Sequence, residues 1–219
     1  MKFALAASLL LTTACAGVQK TGPAPESRGR ALMVVGAIPL VGTDVQIRDA
    51  LKARNLDVEE VLEVSATPGH AEGKKVVVLS FSMLSTSLQA DLSDVPVPLI
   101  VMEHNLLPRL GMTSAEGHGY QPGLTSLTIT SDDPLLTASL PKGDVAVHLA
   151  EQQMFWGHPG PGAIKVAAAT GHPGKPVLFA YPAGAMMVGK VAPARRLHFF
   201  FAVHAPPPVS TLYLNDNGL

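Results

Sequence analysis

The stretch Ala31-Leu-Met-Val-Val-Gly-Ala37 decides the fold. Five apolar residues run without a break into Gly36, with Pro39 and Gly42 close behind. A half-exposed strand would alternate apolar with polar residues. A short continuous run bounded by Gly and Pro is a strand covered on both faces, and such strands sit in the middle of parallel sheets. The residues that follow predict a crossover. Thr43-Asp-Val-Gln46 has the spacing of a capping box, and Ile47, Ala50, Leu51 and Leu56 recur at helical intervals, so a helix is expected to end near Asn55.

Working outward, residues 58–64 (VEEVLEV), 75–81 (KVVVLSF) and 96–103 (PVPLIVME) read as further strands, with short helices expected over 84–92 and 105–110. Strands and helices alternating at this spacing predict parallel pairing with right-handed crossovers. Beyond Gly111 the character changes. Leu124–Thr130, Val145–Ala150, Ile164–Ala169 and Val177–Tyr181 are short strand candidates, Gly171-His-Pro-Gly174 reads as a hairpin turn, and 196–203 (RLHFFFAV) as a last buried strand.

Composition agrees with one covered α/β domain. Of 219 residues, 47% are hydrophobic and 15% charged, with mean hydropathy +0.27. That is the opposite of the disordered signature. The formal net charge of −1 leaves no basic excess for nucleic acid. Arg195–Arg196 is the nearest thing to a basic patch and reads as an ordinary charge pair opening a strand.

The N-terminus carries an export signal: Lys2, then the apolar run Phe3–Leu11, then Thr12-Thr13-Ala14 leading into Cys15. Nine residues span about 14 Å as a helix, roughly half a bilayer core, so the run is too short to cross a membrane. The placement of Cys15 resembles a bacterial lipobox, with Thr12 where that motif prefers Leu. The resemblance implies cleavage after residue 14, acylation of Cys15 and membrane attachment; Ala16 leans towards the outer membrane. Residues 15–30, rich in Gly, Pro, Ser and charge, read as a tether to a domain over 31–219. With Cys15 the only cysteine, an internal disulfide is excluded.

The pattern as a whole runs through Pro98-Leu-Ile-Val-Met-Glu103, Gly111-Met112, Asp132-Asp-Pro-Leu135, Met154-Phe-Trp-Gly-His-Pro159, Gly184-Ala-Met-Met-Val188 and Ala192-Pro-Ala-Arg-Arg196. It resembles an extracellular bacterial domain of the class I glutamine amidotransferase-like, or ThuA-like, superfamily. The resemblance implies a flavodoxin-like, doubly wound, mostly parallel sheet with helices on both faces, here with an added antiparallel portion in the second half. It also implies a chain that continues past Leu219 into a helix, for which 213–219 supplies the start. In amidotransferases of this kind a cysteine stands at the turn after the strand that Pro98–Met102 resembles. A late histidine, matched here by His204, is followed two residues on by an acid. This sequence has Glu103 and His104 at the turn and Pro206 in place of the acid. Thioester chemistry on glutamine therefore has no nucleophile, since Cys15 belongs to the anchor.

Ligands of a doubly wound sheet bind at the carboxyl ends of its strands. The candidates there are Gly36, Ser80, Ser82, Glu103, His104, Asn105 and His204. Glu103 with His204 could serve as a carboxylate–imidazole pair for general-base work; alternatively Glu103 caps the following turn through backbone amides while His104 lies in solvent. Trp156 could stack on a sugar ring or anchor packing. The remaining histidines, His70, His118, His148, His158, His172 and His198, lack the spacing of zinc motifs, so no metal is expected. Neither Ser80 nor Ser82 lies in a GxSxG elbow, and 36–42 has neither the glycine pattern nor the lysine of a nucleotide loop, so no cofactor is expected. Two readings follow: a non-catalytic domain binding a glycan, small molecule or protein, or a carbohydrate-active hydrolase or isomerase using Glu103 and His204.

Overall fold

The structure is a computed structural model and describes residues 27–202. The export segment, Cys15, His204 and the expected helix start at 213–219 lie outside the described residues.

Strand β1 (Gly29–Val35) takes in the last two residues assigned above to the tether, and Ala31 through Val35 are completely buried. It pairs in parallel with β2 (Leu56–Leu62) on one side and β3 (Lys74–Leu79) on the other. The helix α1 (Thr43–Ala53) connects β1 to β2. Its N-cap is Gly42 at φ 56, with no side-chain cap, so the capping box read from Thr43 is corrected. Thr43 lies inside the helix, and Asp44 turns into the protein. Asn55, at φ 65, lets the chain turn straight from the helix into β2, which begins two residues earlier than expected.

Beyond β3 lie β4 (Leu99–Val101), β5 (Thr113–Leu124), β6 (Ser126–Ile129), β7 (Gly143–Ala146), β8 (Gln152–Pro159), β9 (Ile164–Ala169), β10 (His172–Tyr181), β11 (Arg196–His198) and β12 (Phe201–Ala202). Nine strands form one sheet in the order β2-β1-β3-β4-β11-β10-β9-β6-β7. It is parallel from β2 to β11 and antiparallel from β11 to β7. A second sheet has the order β12-β8-β5. The single strand expected over 196–203 is two strands: β11 ends beside β4, and the chain crosses at Phe199-Phe200 into β12 of the small sheet. The β9–β10 turn is Thr170-Gly171, two residues before the expected position, with Gly171 at φ 76.

The first sheet is covered on both faces, but not by helices on both. Met33, Val35 and Val78 pack with Ile47 of α1 on one face. Leu32, Val34, Val77 and Leu79 pack on the other with Leu88, Leu92 and Val95 from the β3–β4 connection. Among the described residues α1 is the one α-helix. The helix expected over 84–92 is absent; at its end Asp91 turns its carboxylate to the backbone and accepts from Ser93 N at 2.8 Å. Buried carbonyls without a helix need other donors. Arg109 donates to the carbonyls of Leu88, Gln89 and Ala90. Arg196, fully buried, donates to those of Ser93, Val95 and Val97. Arg109 thus holds part of the segment expected to be a helix, and Arg196 holds the loop 93–97 that follows it. The helix expected over 105–110 shrinks to one 3-10 turn, His104–Leu106, since Pro108 has no N–H to extend it.

Candidate functional site

The strand order reverses direction between β1 and β3, the position where open α/β sheets bind ligands. Gly36 follows β1, Ser80 and Ser82 follow β3, and Asp44 sits in the first turn of α1. These four groups form one chain of hydrogen bonds. Gly36 N donates to Ser82 Oγ at 3.1 Å, Ser82 N donates to Ser80 Oγ at 3.2 Å, and the Ser80 hydroxyl donates to the Asp44 carboxylate. Burial pushes the Asp44 carboxyl above its ordinary range; the Ser80 and Ser82 hydroxyls pull it back down, and nearby Glu60 adds to the rise. Ser80 is fully buried, so its hydroxyl serves Asp44 and does not face solvent. A side chain at Gly36 would collide with the Ser82 carbonyl, which explains the glycine. Glu63 closes the group on the β2 side: it is buried, and its Oε2 has no hydrogen-bond partner among the described residues.

A second group stands at the end of β4. Glu103 is buried and caps its own turn, its Oε1 accepting from Asn105 N at 2.9 Å and Asn105 Nδ2 at 2.7 Å. The same oxygen lies 3.4 Å from His104 Nδ1. His104 does not lie in solvent. Its ring stacks on Phe155 of β8 at 4.0 Å and meets His118 of β5 edge-on at 5.3 Å. Burial, and then the neighbouring His104, hold the His118 ring below the usual histidine range. Beneath this shelf, His198 at the end of β11 is completely buried between the carbonyls of Val101 and Phe155. Burial drives it down to about 4, so at neutral pH the ring is uncharged.

The fold therefore joins Gly36, Ser80 and Ser82 in one cluster and Glu103, His104 and Asn105 in another, at the ends of neighbouring strands. Trp156 belongs to neither. It follows Phe155 on β8 and so projects from the opposite face. There it lies over Gly119, with Lys175 Nζ 5.5 Å from the ring. Asp44, Glu63, His118, Phe155 and His198 went unread in the sequence as parts of a site. Nothing local marks them, because strands and turns far apart in sequence bring them in. Among the described residues, no three His, Cys, Asp or Glu side chains gather in a way that could hold a metal ion.

No protein-family model matches the sequence, and no curated protein matches it. Solved structures do. A protein from Thermoplasma acidophilum, provisionally assigned as a component of GMP synthase, superposes with a TM-score of 0.55 at 12% identity, covering 88% of this chain and 90% of its own. This chain is similar to that protein in fold. A ThuA-like protein from Bacteroides uniformis gives a TM-score of 0.49 at 7% identity, covering 82% of this chain and 84% of its own. A glutamine amidotransferase from Thermotoga maritima gives 0.46 at 14% identity, covering 79% and 75%. At such identities the likeness is one of fold, and fold alone assigns no chemistry.

Proposed function

We propose that this chain is a cell-envelope lipoprotein, acylated at Cys15, whose amidotransferase-like domain binds a ligand at the carboxyl edge of its parallel strands and does not hydrolyse glutamine. One observation carries the reading. The turn after β4, where the resemblance puts a nucleophilic thiol, holds a buried glutamate already engaged by Asn105 through its Oε1. No cysteine follows Cys15 anywhere in the sequence. A thiolate is the attacking group in thioester chemistry, and nothing at this turn replaces it.

What remains at the edge suits recognition. His104 and exposed Asn105 offer a ring face and an amide, buried Phe155 backs the His104 ring, and part-buried His118 meets it edge-on. Such mixed apolar and polar surfaces are how small-molecule and glycan sites are built. The competing hydrolase reading needs Glu103 as a free base, yet the Asn105 amides hold its Oε1.

The test has two parts. The full-length chain is incubated with glutamine and glutamate release is measured; release above a protein-free blank overturns the reading. Its thermal unfolding is then followed against a panel of oligosaccharides and small metabolites. A shift present in wild type and lost in His104→Ala supports binding at this edge; a shift unchanged in the variant places the ligand elsewhere. For the anchor, labelling with a palmitate analogue should mark wild type and not Cys15→Ala.

A further inference from the structure

The edge opposite the candidate site carries an apolar surface that the proposed function leaves unused. β10 ends at Tyr181 beside Arg196, the first residue of β11, so residues 182–195 lie at the amino edge of the parallel strands. There the chain forms a small hairpin closed by a Met186–Val191 bridge. The hairpin is firmly held. Met187 N donates to Lys190 O at 2.8 Å, Ala192 N to Ala185 O at 2.9 Å and Val188 N to Gly111 O at 2.8 Å, and the Met187 side chain is buried beneath. Three of its apolar side chains are exposed: Met186 at 52%, Val191 at 49% and Val188 at 38%. Residues opposite one another on paired strands are side-chain neighbours, so Met186 and Val191 form one patch, with Val188 at its tip. The patch continues across loop 160–164, which packs against Met186, to exposed Ile164, and Ile164 shares a shallow concavity with Leu135, itself 85% exposed. Arg195 and Asp133 line that concavity, and Lys165 follows Ile164 on β9; Arg195 and Lys165 are exposed and in no ion pair among the described residues. A rigid apolar patch kept in water, with cations at its rim, fits a surface that docks on something.

We propose that the occupant is the lipid surface to which Cys15 is anchored, an inference that rests on the lipoprotein reading. The described chain begins at Ser27 and enters β1 at Gly29, on this same amino edge. Eleven residues separate Cys15 from Ser27. Fully extended they reach roughly 40 Å. The lateral offset from β1 to β10 is four strand spacings, about 19 Å. The anchor therefore joins the domain on this edge, with the hairpin well inside its reach. Met186, Val188 and Val191 sink into the interface while Lys165 and Arg195 meet anionic headgroups. In that pose the carboxyl edge, with its two candidate clusters, faces away from the membrane.

The test uses the full acylated chain in vesicles of phosphatidylethanolamine and phosphatidylglycerol. Because Cys15 is the only cysteine and is blocked by acylation, Met186→Cys accepts a polarity-sensitive fluorophore at a single place, and Leu84→Cys, beyond β3 at the opposite edge, serves as control. Blue-shifted emission quenched by bromolipids at position 186, with water-like emission at 84, is expected. Equal emission at both positions in a chain still marked by the palmitate analogue overturns the docking and leaves the anchor standing. Failure of palmitate labelling overturns the anchor and the docking with it. Concentration-dependent association of the chain that buries position 186 without vesicles assigns the patch to a second copy instead. Amide exchange of 184–192 in the unsubstituted chain, slower in vesicles than in detergent-free Cys15→Ala, repeats the measurement without a label; equal rates overturn the docking.

Discussion

His198 Nε2 of β11 lies 3.2 Å from the carbonyl oxygen of Phe155 in β8, and this contact ties the small sheet to the large one. On the other side of the ring, Nδ1 lies 3.0 Å from Val101 O, which already accepts Phe199 N. A neutral imidazole has one N–H, so it donates to one carbonyl only. Burial outweighs both carbonyls and lowers the group to about 4 from an unfolded value near 6.5. Below pH 6.5 the unfolded chain then binds a proton that the folded chain refuses. Stability is full above about 6.5 and falls as pH drops towards 4, by about 3 kcal/mol in total. Urea midpoints measured from pH 7 to 4.5 should fall in wild type and fall less steeply in His198→Gln. His118, depressed in the same direction, leaves a residual slope in the variant.

Arg196 tests how the face opposite α1 is held. Its guanidinium is fully buried, lowered by burial to about 10, and its NH groups reach the carbonyls of Ser93, Val95 and Val97. Arg196→Met fits the apolar surroundings but strands those carbonyls. At about 1–3 kcal/mol for each buried carbonyl left unpaired, a loss of at least about 3 kcal/mol is expected by chemical denaturation. A loss under about 1 kcal/mol would show that water takes over the carbonyls and that the guanidinium is not the organiser of loop 93–97.

How much was legible follows from what each residue needed to know. β1, α1, β3 and β9 were readable because the patterns of 31–35, 47–51, 75–79 and 164–169 are local and match their environments. β5 was invisible: Gly117, Gly119, Pro122 and Gly123 argue against a strand, and Gly119 is there because Trp156 lies across it. β8 offered only Met154-Phe155-Trp156 between polar and turn-forming flanks. The break at Phe199-Phe200 cannot be seen in an unbroken apolar run, since only the second sheet gives the chain a reason to leave β4. At the site, Glu103 and Asn105 were readable as a turn cap, while the His104–Phe155–His118 shelf needed the fold.

The Asp44–Ser80 hydrogen bond predicts a pH-dependent mutant. The Ser80 hydroxyl stabilises the ionised carboxylate, and burial works against it. Ser80→Ala should therefore cost about 2 kcal/mol at a pH where Asp44 is ionised, and clearly less at lower pH, where protonation removes the need for the donor. Equal losses at both pH values would mean that the cost is one of packing and not of charge.

Glu103 offers the sharpest test of whether the β4 turn is structural or chemical. Its Oε1 accepts from the Asn105 backbone and side-chain amides, and a glutamine keeps an Oε1 at that position. If the side chain is a cap, Glu103→Gln should stay within about 0.5 kcal/mol of wild type and Glu103→Ala should lose about 1 kcal/mol. Ligand-induced thermal shifts should survive in the glutamine variant, since the turn that carries His104 is preserved. A general base cannot tolerate that exchange, because an amide has no basic lone pair to take a proton at neutral pH. Loss of an activity in Glu103→Gln with stability unchanged would turn the assignment from recognition to catalysis.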